Sequence, residues 1–190
     1  LHRVVVLPAA VGSVAPPESG AELDPIFITA LQQTNRFEIV TINRDECARK
    51  FHVGEFSSTA ALPHDFLAVL KREYAADAVL FIDVTVYKPY RPLAIGVRAK
   101  LATLEDSVRL LWTFDNVFSA SDPAVANAAR HFFLKSDRPD VPADMTQGVL
   151  QSPSRFARYV AAEMFSTLPS VYTPPPPSPP EKQPKVAKGR

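Results

Sequence analysis

The stretch AVLFIDVTVYKPYRPLAIGVRAKLATLEDSVRLLWTFDNVF, residues 78–118, decides the fold. In its first part Leu80, Ile82, Val84 and Val86 form an apolar face. The opposite face begins apolar at Val79 and Phe81 and turns polar at Asp83 and Thr85. A period of two with these residues predicts a long strand, Ala78–Tyr87, whose far end leaves the core. Ile95, Val97, Ala99 and Leu101 then alternate with Gly96, Arg98, Lys100 and Ala102, the pattern of a half-exposed antiparallel strand. Glu105-Asp106-Ser107 supplies a turn, and Leu110, Trp112, Phe114 and Phe118 alternate on a return strand. Three consecutive strands joined this closely predict an antiparallel meander.

Upstream, strands alternate with helices. Arg3–Pro8 is a short apolar run suited to a strand buried on both faces. A loop with Gly12, Pro16, Pro17 and Gly20 follows. Leu23, Ile26, Phe27, Ala30 and Leu31 then fall at the spacing of one helical face, to about Thr34. Phe37–Ile42 reads as a second strand, with Phe37, Ile39 and Thr41 on one side and Val40 and Ile42 on the other. A short helix is expected over Arg44–Phe51, and another after Pro63 with the stripe Phe66, Leu67, Leu70 and Tyr74. Downstream, Ser121-Asp122-Pro123 and Ser152-Pro153 each place a capping side chain before a proline, a helix start. Val125, Ala128, Ala129, Phe132 and Phe133 form the stripe of the first; Phe156, Val160, Met164 and Leu168 point inward on the second. The expected fold is α/β: a single domain with a mixed sheet ending in an antiparallel meander, helices packed on the sheet, and the order β-α-β-α-α-β-β-β-α-α.

Proline marks the domain boundary. Of 19 prolines, seven lie between Pro174 and Pro184, in the run TPPPPSPPEKQP. Such a segment favours polyproline II and offers nothing to a core. The expected organisation is therefore a folded domain over 1–168 and a Pro-rich, basic, disordered tail over 169–190. From Pro174 onward the tail carries a net charge of +3, which leaves −2 on residues 1–173, although the whole chain is +1. That balance argues against a nucleic-acid-binding domain held by bulk charge. No stretch approaches eighteen consecutive apolar residues, so no helical membrane span is expected. The chain opens on Leu1-His2-Arg3, one turn before a core strand and without Met, which reads as a processed or trimmed start with room for a targeting segment upstream.

The residues that usually carry chemistry do not assemble into a site. Cys47 is the only thiol, and His52, five positions on, does not share its helical face; an inert, half-buried Cys is the expectation. The histidines His2, His52, His64 and His131 fall on separate elements without a metal-ligand spacing, and His64-Asp65 reads as a helix start. The six glycines provide no phosphate-cradling loop after the first strand. Asp83 and Asp115 are expected to be solvated strand positions or sheet-edge charges rather than an acid–base pair. No catalytic residue, cofactor or metal is therefore assigned.

One segment stands apart. Tyr87-Lys88-Pro89-Tyr90-Arg91-Pro92 holds two tyrosines, two cations and two prolines in six residues. Tyr and Arg are enriched at protein interfaces. Tyr87, Lys88, Tyr90 and Arg91, extended by the strand positions Arg98 and Lys100 and toward Arg109, form the candidate interaction surface. The competing view is a solvated hairpin whose cations blunt self-association.

Val4–Pro8, Phe37–Val40, Ala76-Asp77-Ala78-Val79-Leu80 and the hairpin closing on Leu111-Trp112-Thr113-Phe114 together resemble a domain shared by bacterial envelope proteins. That group includes the N-terminal domain of TolB, the curli-secretion lipoprotein CsgG, the lipoprotein activators of penicillin-binding proteins, and PelC. The resemblance covers roughly residues 3–135 and is closest to uncharacterised predicted lipoproteins. It implies no catalytic residues. It implies instead a non-enzymatic interaction or assembly module in the periplasm, outer-membrane anchored in its lipoprotein form. Envelope proteins would be the partners, with self-association into a ring or homo-oligomer as one form; nucleic acid is not among them. Cys47 is internal, so any lipid anchor would lie upstream of Leu1. The long hairpins that build a secretion pore are missing, so that function is not carried over. The alternative expectation is a small-ligand-binding protein or enzyme with a pocket at the strand ends.

Overall fold

A computed structural model describes residues 1–105, 107–136 and 148–169. The elements follow the expected order: β1 (Arg3–Val6), α1 (Pro17–Gln33), β2 (Glu38–Thr41), α2 (Arg44–Phe51), α3 (Phe66–Tyr74), β3 (Ala78–Lys88), β4 (Ala94–Thr103), β5 (Leu110–Ser119), α4 (Pro123–Ser136) and α5 (Pro153–Ser166). The five strands form one mixed sheet in the order β2-β1-β3-β4-β5. β1 runs parallel to both β2 and β3, and β3, β4 and β5 are antiparallel.

β1 and most of β3, at the centre of the sheet, are buried on both faces. On one side Val4, Val6, Leu80, Ile82, Val97 and Leu101 pack against Leu23, Phe27 and Leu31 of α1, Ala129 and Phe133 of α4, and Phe156, Val160 and Met164 of α5. On the other, Val5, Leu7, Val79 and Phe81 pack against Cys47 of α2, Phe66 and Leu70 of α3, and Phe56. This is why β1 reads as an unbroken apolar run: successive residues enter different cores. Each fully buried Phe or Leu contributes about 1.5–3 kcal/mol relative to exposure. Trp112 Nε1 donates to Thr167 Oγ1 at 3.1 Å and Arg36 Nη1 donates to the Leu168 carbonyl, tying the end of α5 to β5 and α1.

Several details differ from the sequence reading. α1 begins at Pro17, so the segment with Gly20 is helix rather than loop. Pro17 at the first helical position presets φ, and Gly20 leaves room for a neighbour: a Cβ there would come within 2.9 Å of Arg44 Cζ. In β3 a register shift between Val84 and Val86 breaks the alternation, so Tyr87, not Val86, packs against the α1 side. A second shift, between Leu101 and Ala102, turns Leu110 outward, and it is 60% exposed. Cys47 is fully buried rather than half-buried. No helix among the described residues is long and apolar enough to cross a membrane. The expected tail, apart from Pro169, lies outside the described residues.

Candidate interaction surface

The bulge in β3 also divides the residues singled out in the sequence. Tyr87, half-buried, meets Ser19 on the α1 side of the sheet, and burial pushes its phenol above its ordinary value. Arg98 and Lys100 lie on the opposite side, with the cross-strand partners Asp83 and Phe81. Both are engaged: Arg98 Nε pairs with Asp115 Oδ2 at 2.7 Å, and Lys100 Nζ donates to the Ser58 carbonyl at 3.0 Å. Arg109, at the other end of the hairpin, pairs with Glu105. Lys88 closes β3 opposite Ala94, and Tyr90 and Arg91 occupy the loop between β3 and β4, where Tyr90 is 84% exposed. Tyr90 and Arg91 are thus together at the loop, with Tyr87 at its base on one face of the sheet and the two strand cations on the other.

Asp83 is not solvated. It is 6% exposed and accepts from the backbone N–H of Ser58 at 2.9 Å and from the Ser58 hydroxyl. With Lys100 holding the Ser58 carbonyl, it pins the segment after α2 across the sheet. Asp115 faces Arg98, so the two carboxylates belong to separate contacts. Burial pushes the Cys47 thiol up to about 11, which keeps it protonated and unreactive at neutral pH.

At the carboxyl ends of the parallel strands, where a doubly wound sheet ordinarily binds ligands, the space is filled. Arg44 Nε binds Asp24 Oδ2 at 2.8 Å, its Nη1 binds Glu55 Oε2 at 2.7 Å, and its Nη2 donates to the Ala9 carbonyl at 2.6 Å. Asp24 accepts the Ala9 N–H, and Glu55 accepts the N–H groups of Val11 and Gly12. Burial raises the Asp24 carboxyl, opposed by the Ala9 N–H and by Arg44. The remaining cavity there, lined in part by Pro8, Asp24, Phe27 and Asn43, holds about 100 Å³. That is room for only a few waters. Sequence reasoning missed this network because its members come from α1, α2 and a loop, with no motif linking them. The helix period that placed Leu23 and Phe27 inward was its only trace. Among the described residues no three His, Cys, Asp or Glu side chains converge as a metal site would require.

No family model matches the chain and no curated protein matches it. Solved structures do. Lipoprotein GNA1162 from Neisseria meningitidis superposes with a TM-score of 0.50 at 14% identity, over 72% of this chain and 98% of that one. The hypothetical protein CT253 from Chlamydia trachomatis matches at 0.45 and 15% identity, over 86% of this chain and 95% of that one. The PelC dodecamer from Paraburkholderia phytofirmans gives 0.41 and 12%, over 85% and 87%. The chain has the mixed α/β fold of the Neisseria lipoprotein, the kind of fold that the resemblance in its sequence implied.

Proposed function

We propose that the protein is a non-enzymatic interaction or assembly module of the bacterial cell envelope, working in the periplasm at the outer membrane. The observation that carries this reading is the fold shared with a bacterial lipoprotein over nearly all of that chain's length. The strand ends add support, because a structural ion-pair network takes the place of a ligand pocket there. The contact surface proposed is the β3–β4 loop, with Tyr90 and Arg91 at its tip, Tyr87 and Lys88 at its base, and Arg98 and Lys100 on the adjoining strand. An exposed Tyr beside an Arg has the amphipathic area that anchors a partner, and Tyr90 has no packing role to explain it. The partners would be envelope proteins, a second copy of the chain included.

The test replaces Tyr90 and Arg91 with Ala and measures thermal unfolding alongside partner recovery from envelope extracts. Truncated anchors are expected to cost about 1–4 kcal/mol of binding each, with stability nearly unchanged for an exposed loop. Full recovery by a folded double variant would remove the loop as the contact surface.

A further inference from the structure

The loop that carries Tyr90 also borders a cleft of about 430 Å³, lined by Arg91, Pro92, Ala120, Arg130 and Leu150. Small-molecule sites ordinarily run from about 300 to 1,000 Å³, and this cleft, unlike the strand-end cavity, falls in that range. Several arginines elsewhere in the fold are neutralised. Arg3, Arg44, Arg98 and Arg109 each pair with a carboxylate. Arg130 donates only to the neutral Asn127 side chain, at 3.0 Å. Among the described residues no acid pairs with Arg91 or Arg130.

Two like charges facing one cleft repel, and an arriving anion turns that cost into binding energy. Each guanidinium offers a planar fork of donors that fits phosphate or carboxylate oxygens two at a time. A carboxylate would neutralise one of the two charges, whereas a phosphate monoester near neutral pH carries about −1.5 to −2. The rest of the described lining, Pro92, Ala120 and Leu150, is without charge and suits the apolar part of a small ester. We propose that this cleft binds a small organic phosphate monoester, its phosphoryl group held between Arg91 and Arg130. This goes beyond the assembly reading, with which it shares only Arg91.

Titration of the full chain with phenyl phosphate, inorganic phosphate and benzoate, followed by calorimetry at low salt, tests it. Phenyl phosphate is expected to bind several-fold more tightly than either of the other two. Arg91→Ala and Arg130→Ala should each weaken it at least tenfold, while Arg49→Ala, an exposed cation on α2, leaves it unchanged. Arg130→Gln, which keeps the packing of the stem, should lose the ligand with an unaltered melting temperature. Tyr90→Ala should keep the phosphate and lose the partner, and Arg130→Ala the reverse, so failure of one reading is distinguishable from failure of the other. No binding at roughly 10 mM phenyl phosphate, an affinity too weak for a specific site, would overturn the proposal. An equal loss in Arg49→Ala would do the same.

Discussion

Asp83 shows how much a single position can hide. In the alternation of β3 it marks the strand turning toward solvent, yet it is buried and fixes Ser58 by its main-chain N–H and its hydroxyl. Asp83→Ala leaves that N–H without an acceptor. A loss of about 1–3 kcal/mol is expected, read by urea denaturation, and a change within error would mean that Phe56, the Glu55 contacts and Lys100 hold the 55–62 segment without it. Asp77 acts at the opposite end of the same strand. It accepts the N–H groups of His2 and Arg3 at 2.7 and 3.0 Å. The Arg3 N–H first, then that of His2, hold its carboxyl below its ordinary value of 3.8. The unfolded chain therefore takes up a proton at a higher pH than the folded one. This stabilisation is complete above the ordinary carboxylate range and is lost as pH falls through the lower folded value. Asp77→Asn should flatten the acid limb of a stability-against-pH curve and leave the shape near pH 7 unchanged.

At the scale of elements, the bulge in β3 is the feature with most consequence. It moves Tyr87 onto the α1 side and lets the strand pass close over β4. Gly96 makes that approach possible: a Cβ there would stand 2.5 Å from Thr85 Oγ1 and 3.1 Å from the Val86 nitrogen. Gly96→Val is expected to cost about 1–3 kcal/mol, as overpacking does, seen as a lower unfolding midpoint and changed amide shifts across 84–88. β5 is the long exposed edge of the sheet, with Leu110, Leu111 and Val117 open to solvent. The Asn116 side chain accepts the Val117 N–H at 2.8 Å and so occupies one edge donor. A long apolar edge of this kind ordinarily pairs with other chains, which makes it a second place to look for self-association.

For the whole molecule, the last described element, α5, is tied through Thr167 and Leu168 to β5 and to the segment after α1. Removing residues 174–190 should therefore shift the unfolding midpoint by no more than about 2 °C in calorimetry, and a loss several times larger would mean that those residues pack on the domain. The element order, the mixed sheet with its antiparallel meander and the burial of β1 on both faces were legible in the sequence. They rest on periods of two and 3.6 and on capping prolines, which are local in the chain. β1 could be placed in the interior because it is apolar on both faces. The two register shifts were not legible, because a bulge changes which face a residue joins without changing the residues around it. Nor were the Arg44 network, the burial of Asp83, or the cleft that Arg91 and Arg130 both line. Each depends on partners 20 to 40 residues apart on different elements, as Arg44 with Asp24 and Arg91 with Arg130 are. The sequence by itself determined the layers of this protein; only the tertiary structure decided which polar groups are buried, paired or left open in a cleft, because that is settled by which elements meet in space.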